Sequence, residues 1–311
     1  MPAFTRFAWA VLGYNLLVVA WGAFVRATGS GAGCGQHWPT CNGQVLPRAP
    51  RLETVIEFTH RATSGIALVL VVVLLVWAFR AFPRGHAARK AAVAALAFMI
   101  SEALVGAGLV LYGWVARDTS AARGWVMAIH LTNTFLLLAA LALCAEWSRR
   151  PGGLAAPPGR LRTLLGVALL AVLVTGITGA IAALGDTLYP ARSLAHGLEQ
   201  ELAPGATLLL RLRLLHPFVA VAAAVATALA ARGALHARPR GRVPGLATAV
   251  LTLVAGQLVL GAVNVALLAP VALQLAHLLV ADLTWIALVL LASAALGPAE
   301  RVRAGAVSAA A

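Results

Sequence analysis

Polar positions interrupt this chain at long, nearly regular intervals, leaving apolar stretches near 7–27, 55–79, 91–115, 124–146, 163–184, 208–231, 245–268 and 271–296. Each is close to the roughly 20 residues that a helix needs to cross a hydrocarbon core. Inside lipid the backbone has no water to bond, so a spanning segment must satisfy its own N–H and C=O groups, and the runs predict helices rather than strands. The expected fold class is an all-α integral membrane protein with eight transmembrane helices.

Composition agrees with the pattern. Hydrophobic residues make up 61% of 311 positions and charged residues 11%, and the mean hydropathy is +0.89. A soluble domain would carry about a quarter charged residues. The net charge of +14 would suit a nucleic-acid binder, but the basic residues sit mainly in alternate loops. Arg80, Arg84, Arg89 and Lys90 follow the second run, Arg149, Arg150, Arg160 and Arg162 the fourth, and Arg232, Arg238, Arg240 and Arg242 the sixth. With Arg6, Arg301 and Arg303 they place 15 of the 24 basic residues on one side. The positive-inside rule makes that side cytoplasmic, with both termini on it, and leaves no case for nucleic acid. The first apolar run, preceded by Arg6, also has the form of a signal peptide. Its counterpart in the second half of the chain argues that it is retained.

Those halves are related. Glu102-Ala-Leu-Val-Gly106 returns as Gln257-Leu-Val-Leu-Gly261, 155 residues later, while His60 answers to His216 and His130 to His277. The expectation is two pseudo-symmetric four-helix bundles, residues 1–150 and 151–311, joined by the Pro/Gly-rich stretch Pro151 to Gly159. An even number of spans per unit gives a parallel repeat about an axis along the membrane normal.

Of eight histidines, His86 and His236 fall in basic loops and His37 and His196 in the opposite loops. The other four, His60, His130, His216 and His277, each lie about two turns into an even-numbered run and so share one depth. Ionisable groups within a membrane are costly and mark functional sites by default. One such histidine is ordinarily a helix-to-helix hydrogen bonder. Four at matched depth, two per unit, point instead to haem iron held between facing helices. Zinc or copper is disfavoured, because neither unit offers a further histidine or cysteine at that depth.

Glu57 shares a helix face with His60, whereas the equivalent position in the second half is Arg213, so the two units are not chemically equal. Arg61, Arg211 and Arg213 lie near the membrane edge, where they can pair with haem propionates or snorkel to lipid phosphate. Cys34 and Cys41, seven apart in the first extracytoplasmic loop, suit a disulfide. With His37 they also resemble an incomplete metal site. Cys144, in the fourth run, reads as inert packing.

Taken together, these residues resemble the haem A synthase family of the CtaA and Cox15 type, over essentially the whole chain. The most specific segments are Thr28-Gly-Ser-Gly31 through Cys34, Trp38-Pro39, Cys41-Asn-Gly43 and Glu57-Phe-Thr-His60-Arg61. His130-Leu131 with Asn133, Gln257 with Gly261 and Asn264-Val265, and Gln274 to His277 complete the pattern. The resemblance implies an oxidoreductase that converts the C8 methyl group of haem O to a formyl group, by successive hydroxylations and loss of water, giving haem A for cytochrome oxidase. It implies that all four histidines are axial iron ligands and that Glu57 is catalytic. The N-terminal half would take haem O as substrate and the C-terminal half would hold a resident haem B. The loop cysteines would be disulfide-linked or redox-active. It further implies a bacterial cell membrane as location, with haem O synthase and cytochrome oxidase assembly factors as partners. Glu102 departs from the family pattern, which has glutamine there. The alternative function is a dihaem b-type electron-transfer protein, which needs the histidines but not Glu57.

Overall fold

The computed structural model describes residues 3–149 and 159–297. The helices are α1 (Ala3–Ala27), α2 (Leu52–Ala81), α3 (Ala87–Leu111), α4 (Ala121–Trp147), α5 (Gly159–Leu188), α6 (Leu194–Leu202), α7 (Leu208–Ala237), α8 (Val243–Ala266) and α9 (Val271–Leu296). All but α6 are long and apolar enough to cross a membrane, and no strand occurs among the described residues. The chain is therefore an all-helical, multi-pass membrane protein with eight spans. Large apolar side chains such as Leu17, Val69, Leu170 and Phe218 stand more than 60% exposed on the bundle's outside. That arrangement is stable against acyl chains and costly against water. Most of the predicted linker, Pro151 to Pro158, lies outside the described residues, as do Arg150, Arg301 and Arg303.

Helix ends follow local chemistry. Ser120 caps α4 by accepting from the Arg123 N–H, and Thr207 caps α7 by accepting from the Leu210 N–H. The third helix stops at Leu111, four residues before the apolar run does, because Gly113 turns the backbone into the left-handed region at φ 70°.

In the first half α1, α2, α3 and α4 contact one another in a closed ring, and in the second half α5, α7, α8 and α9 do the same. These rings are compatible with two four-helix bundles. The seam between them is made chiefly by α4, which packs on α5 and α9, with α1 adding to α9. At mid-depth Phe135 stacks on Trp285 with ring centroids 5.2 Å apart, and the indole N–H of Trp285 donates to the Phe135 carbonyl at 2.6 Å. At one end Glu146 pairs with Arg242, and Trp147 Nε1 donates to Ser293 Oγ at 3.0 Å. At the other end Arg26 of α1 donates to the Ala183 carbonyl, Thr187 Oγ1 and Gln274 Oε1, all in the second half.

Candidate functional site

The four intramembrane histidines sit on α2, α4, α7 and α9, and each faces a glycine on the preceding long helix. A Cβ added at Gly22 would stand 2.8 Å from His60 Cε1, at Gly179 3.0 Å from His216 Cε1, and at Gly261 3.1 Å from His277 Cε1. At Gly106 it would meet His130 Cε1 at 4.0 Å, an ordinary contact. Three of the four rings thus occupy space that any side chain would take. The imidazoles of His216 and His277 are 6.5 Å apart, centroid to centroid, and nearly perpendicular at 87°. Two metal–imidazole bonds of about 2 Å plus a ring radius on either side sum to about 6 Å, so the pair is spaced to flank one metal ion. His60 and His130 lie within electrostatic reach of each other in the first half.

Their outer ring nitrogens differ. Nδ1 of His216 meets Thr178 Oγ1 at 3.0 Å. Nδ1 of His60, His130 and His277 are buried without a hydrogen-bond partner. Glu102 Oε1 lies 3.4 Å from His130 Nδ1, long for a hydrogen bond. On α8 the amide of Gln257 lies 3.2 Å from His277 Nε2 and donates to the His277 carbonyl at 3.1 Å. Both the α4 and the α9 histidine thus have a polar side chain of the preceding helix beside them, Glu102 on the Nδ1 side of His130 and Gln257 on the Nε2 side of His277.

Over the first half lies the loop between α1 and α2, closed by the Cys34–Cys41 disulfide. The bond rules out the incomplete metal site considered for these cysteines with His37. Glu57 is buried beneath the loop. Its Oε2 accepts from the Cys34 backbone N–H at 2.7 Å, and its Oε1 accepts from the guanidinium of Arg61. Arg61 reaches onward to the carbonyls of His37 and Thr40. Glu57 and Arg61 thus fasten the disulfide loop onto the first turns of α2.

Over the second half lies α6, which the apolar runs do not predict. Arg213 holds it, donating from Nε to Glu201 Oε1 at 2.6 Å and from its other nitrogens to Gln200 Oε1, the Gly197 and Tyr189 carbonyls and Asp186 Oδ1. Among the three arginines considered for propionates, Arg61 and Arg213 spend their donors on protein groups. Arg211 bonds only through Nε, to the Ala206 carbonyl at 3.2 Å, and keeps its terminal nitrogens exposed. The remaining histidines have local roles. His86 caps α3 and stacks on Phe82, His196 accepts from the Arg192 N–H, and the His37 carbonyl receives Arg61. Cys144 is buried and unbridged.

Fold and site define a helical membrane protein that buries four imidazoles, two in each half, with His216 and His277 6.5 Å apart and the first half covered by a stapled loop. The chain belongs to the COX15-CtaA family, described as cytochrome oxidase assembly protein, which it matches over residues 5–289. It is 50% identical over 309 residues to a protein of Thermus thermophilus named "Protoheme IX farnesyltransferase", covering 98% of this chain and 51% of that one. The chain thus spans about half the length of that relative. It is also 41% identical over 128 residues to "Heme A synthase" of Shouchella clausii, covering 41% of this chain and 40% of the relative. With "Heme A synthase" of Alkalihalophilus pseudofirmus it shares 38% identity over 128 residues, 41% of this chain and 40% of that protein.

Proposed function

We propose that this chain is a haem A synthase, an oxidoreductase that converts the C8 methyl group of haem O to a formyl group. The observation that carries the reading is the set of four buried imidazoles, two per half, three of them lodged against a glycine of the preceding helix, with His216 and His277 spaced 6.5 Å apart. Family membership and the haem A synthase relatives support it. Among the described residues no cluster of three histidine, cysteine or carboxylate groups could hold a bare metal ion. A macrocycle that supplies the remaining ligands suits a site where the protein offers only two.

In this reading His60 and His130 hold haem O as substrate, and His216 and His277 hold a resident haem B. Bound haem supplies the redox chemistry. The protein supplies placement: the glycine cradles set the ring positions, and the terminal nitrogens of Arg211 are available to a propionate. Glu57 accepts from the Cys34 N–H through Oε2 and from two nitrogens of Arg61 through Oε1, which holds the carboxylate in one orientation beneath the loop. We assign it the role of proton acceptor beside the substrate. In the same reading the membrane is that of a bacterial cell, with both termini in the cytoplasm as the alternate-loop charges support, and haem O synthase and cytochrome oxidase assembly factors are its partners.

Co-expression with a source of haem O, followed by extraction and mass analysis of the haems, tests the assignment. Haem A in the extract supports it. Bound haem without haem A formation would favour the dihaem electron-transfer alternative, and absence of bound haem would overturn both.

A further inference from the structure

We infer that Glu102 is a positioning residue that makes the two haem sites electronically unequal, acting through the Nδ1 of His130. The inference rests on the haem reading above. Glu102 occupies the position that Gln257 occupies in the second half, 155 residues on. The surroundings identify its oxygens as acceptors. Thr134 Oγ1 donates to Oε1 at 2.5 Å and Asn133 Nδ2 donates to Oε2 at 2.5 Å, while Ser101 Oγ donates in turn to Asn133 Oδ1 at 2.5 Å. Asn133 also holds the Phe98 carbonyl at 2.8 Å, which ties the group to α3. The remaining polar atom at this cluster is His130 Nδ1, buried and without a partner, 3.4 Å from Glu102 Oε1.

A histidine that binds metal through one nitrogen ordinarily donates the other N–H to an acceptor, which fixes the tautomer and raises the ring's basicity. Glu102 is that acceptor for His130. A carboxylate strengthens the ring as an electron donor more than an amide does, and so favours the oxidised metal. In the second half the amide of Gln257 donates to the His277 carbonyl and lies 3.2 Å from His277 Nε2, so it gives His277 Nδ1 no acceptor. The haem held by His60 and His130 is therefore expected to have its potential lowered by Glu102, with no equivalent pull on the haem of His216 and His277.

The test is redox potentiometry on the full-length protein in detergent, loaded with haem B in both units, with His277→Ala used to assign the N-terminal haem. Glu102→Gln should move the midpoint of that haem positive and leave the other unchanged. Gln257→Glu should move the other haem negative. Two bound haems with unmoved midpoints in both variants would overturn this inference and leave the haem reading standing. A parent protein that takes up no haem would overturn the reading itself. If Glu102→Gln loses the N-terminal haem, Gln257→Glu decides alone: a negative shift supports the acceptor argument, and none overturns it.

Discussion

The positions occupied by Glu57 and Arg213 are equivalent in the two halves, each three residues before a histidine, yet they carry opposite charge. Both fasten a cover over the loop end of their unit. Glu57 is an acceptor and binds a cover that offers a donor, the Cys34 N–H of the disulfide loop. Arg213 is a donor and binds a cover that offers acceptors, the carbonyls and carboxamide of α6 and the carboxylate of Glu201. Closing a lid is thus common to both positions, and the sign of each charge follows what its cover offers. What the first half gains is a buried carboxylate one turn before His60 on α2, and the proposed chemistry of that half rests on it.

The largest expected effects concern the imidazoles themselves. His216→Ala and His277→Ala should each remove the resident haem, taking haem per chain from two to one by pyridine haemochrome assay. Retention of two haems would show that other residues bind it. Next comes Glu57→Gln, which keeps the size and the ability to accept from Cys34 but removes the charge. It should keep haem content near that of the parent while haem A yield falls by about 10²–10⁴, the range for a lost general base. A normal yield would reduce Glu57 to the fastening role that it shares with Arg213.

Arg213→Leu tests the other arm of the comparison. It should free α6 without removing haem, lowering stability by about 1.5–3 kcal/mol for each charged hydrogen bond that water does not replace. Limited proteolysis between Tyr189 and Thr207 would accelerate, and unchanged cleavage there would mean that α6 is held by packing. The smallest effect belongs to the staple. Cys34→Ser with Cys41→Ser should cost about 2–3 kcal/mol, as expected for so short a closed loop. In the parent these two cysteines should resist alkylation until reductant is added, and ready labelling without reductant would contradict a standing disulfide.

Much of this architecture is legible from periodicity alone. Membrane helices advertise themselves through length and apolarity, and the four histidines stand out because the bilayer makes such residues expensive. The polar covers do not. The segment from Leu194 to Leu202 is too short to span, and its signal lies elsewhere. Ser193 makes a good cap, and Leu194, Leu198 and Leu202 recur every four residues against Glu199, Gln200 and Glu201. The glycine cradles are equally readable, since Gly22 and Gly179 repeat at nearly the spacing of the histidines they face. Sequence places Arg61 and Arg213 near the membrane edge but cannot show what they bind, because the choice among propionate, lipid and backbone depends on where the covers fold.

Arg26 sets how freely the halves can move. From α1 it grips a carbonyl and a hydroxyl of α5 and an amide oxygen at the start of α9. The opposite end of the seam is tied by Glu146 with Arg242, and the middle by Trp285 on Phe135. Two bundles that rocked to expose a pathway first on one face and then on the other would have to break one end of this seam at every stroke. Ties at both ends and the centre suit the pair of bundles to holding two sites at a constant separation.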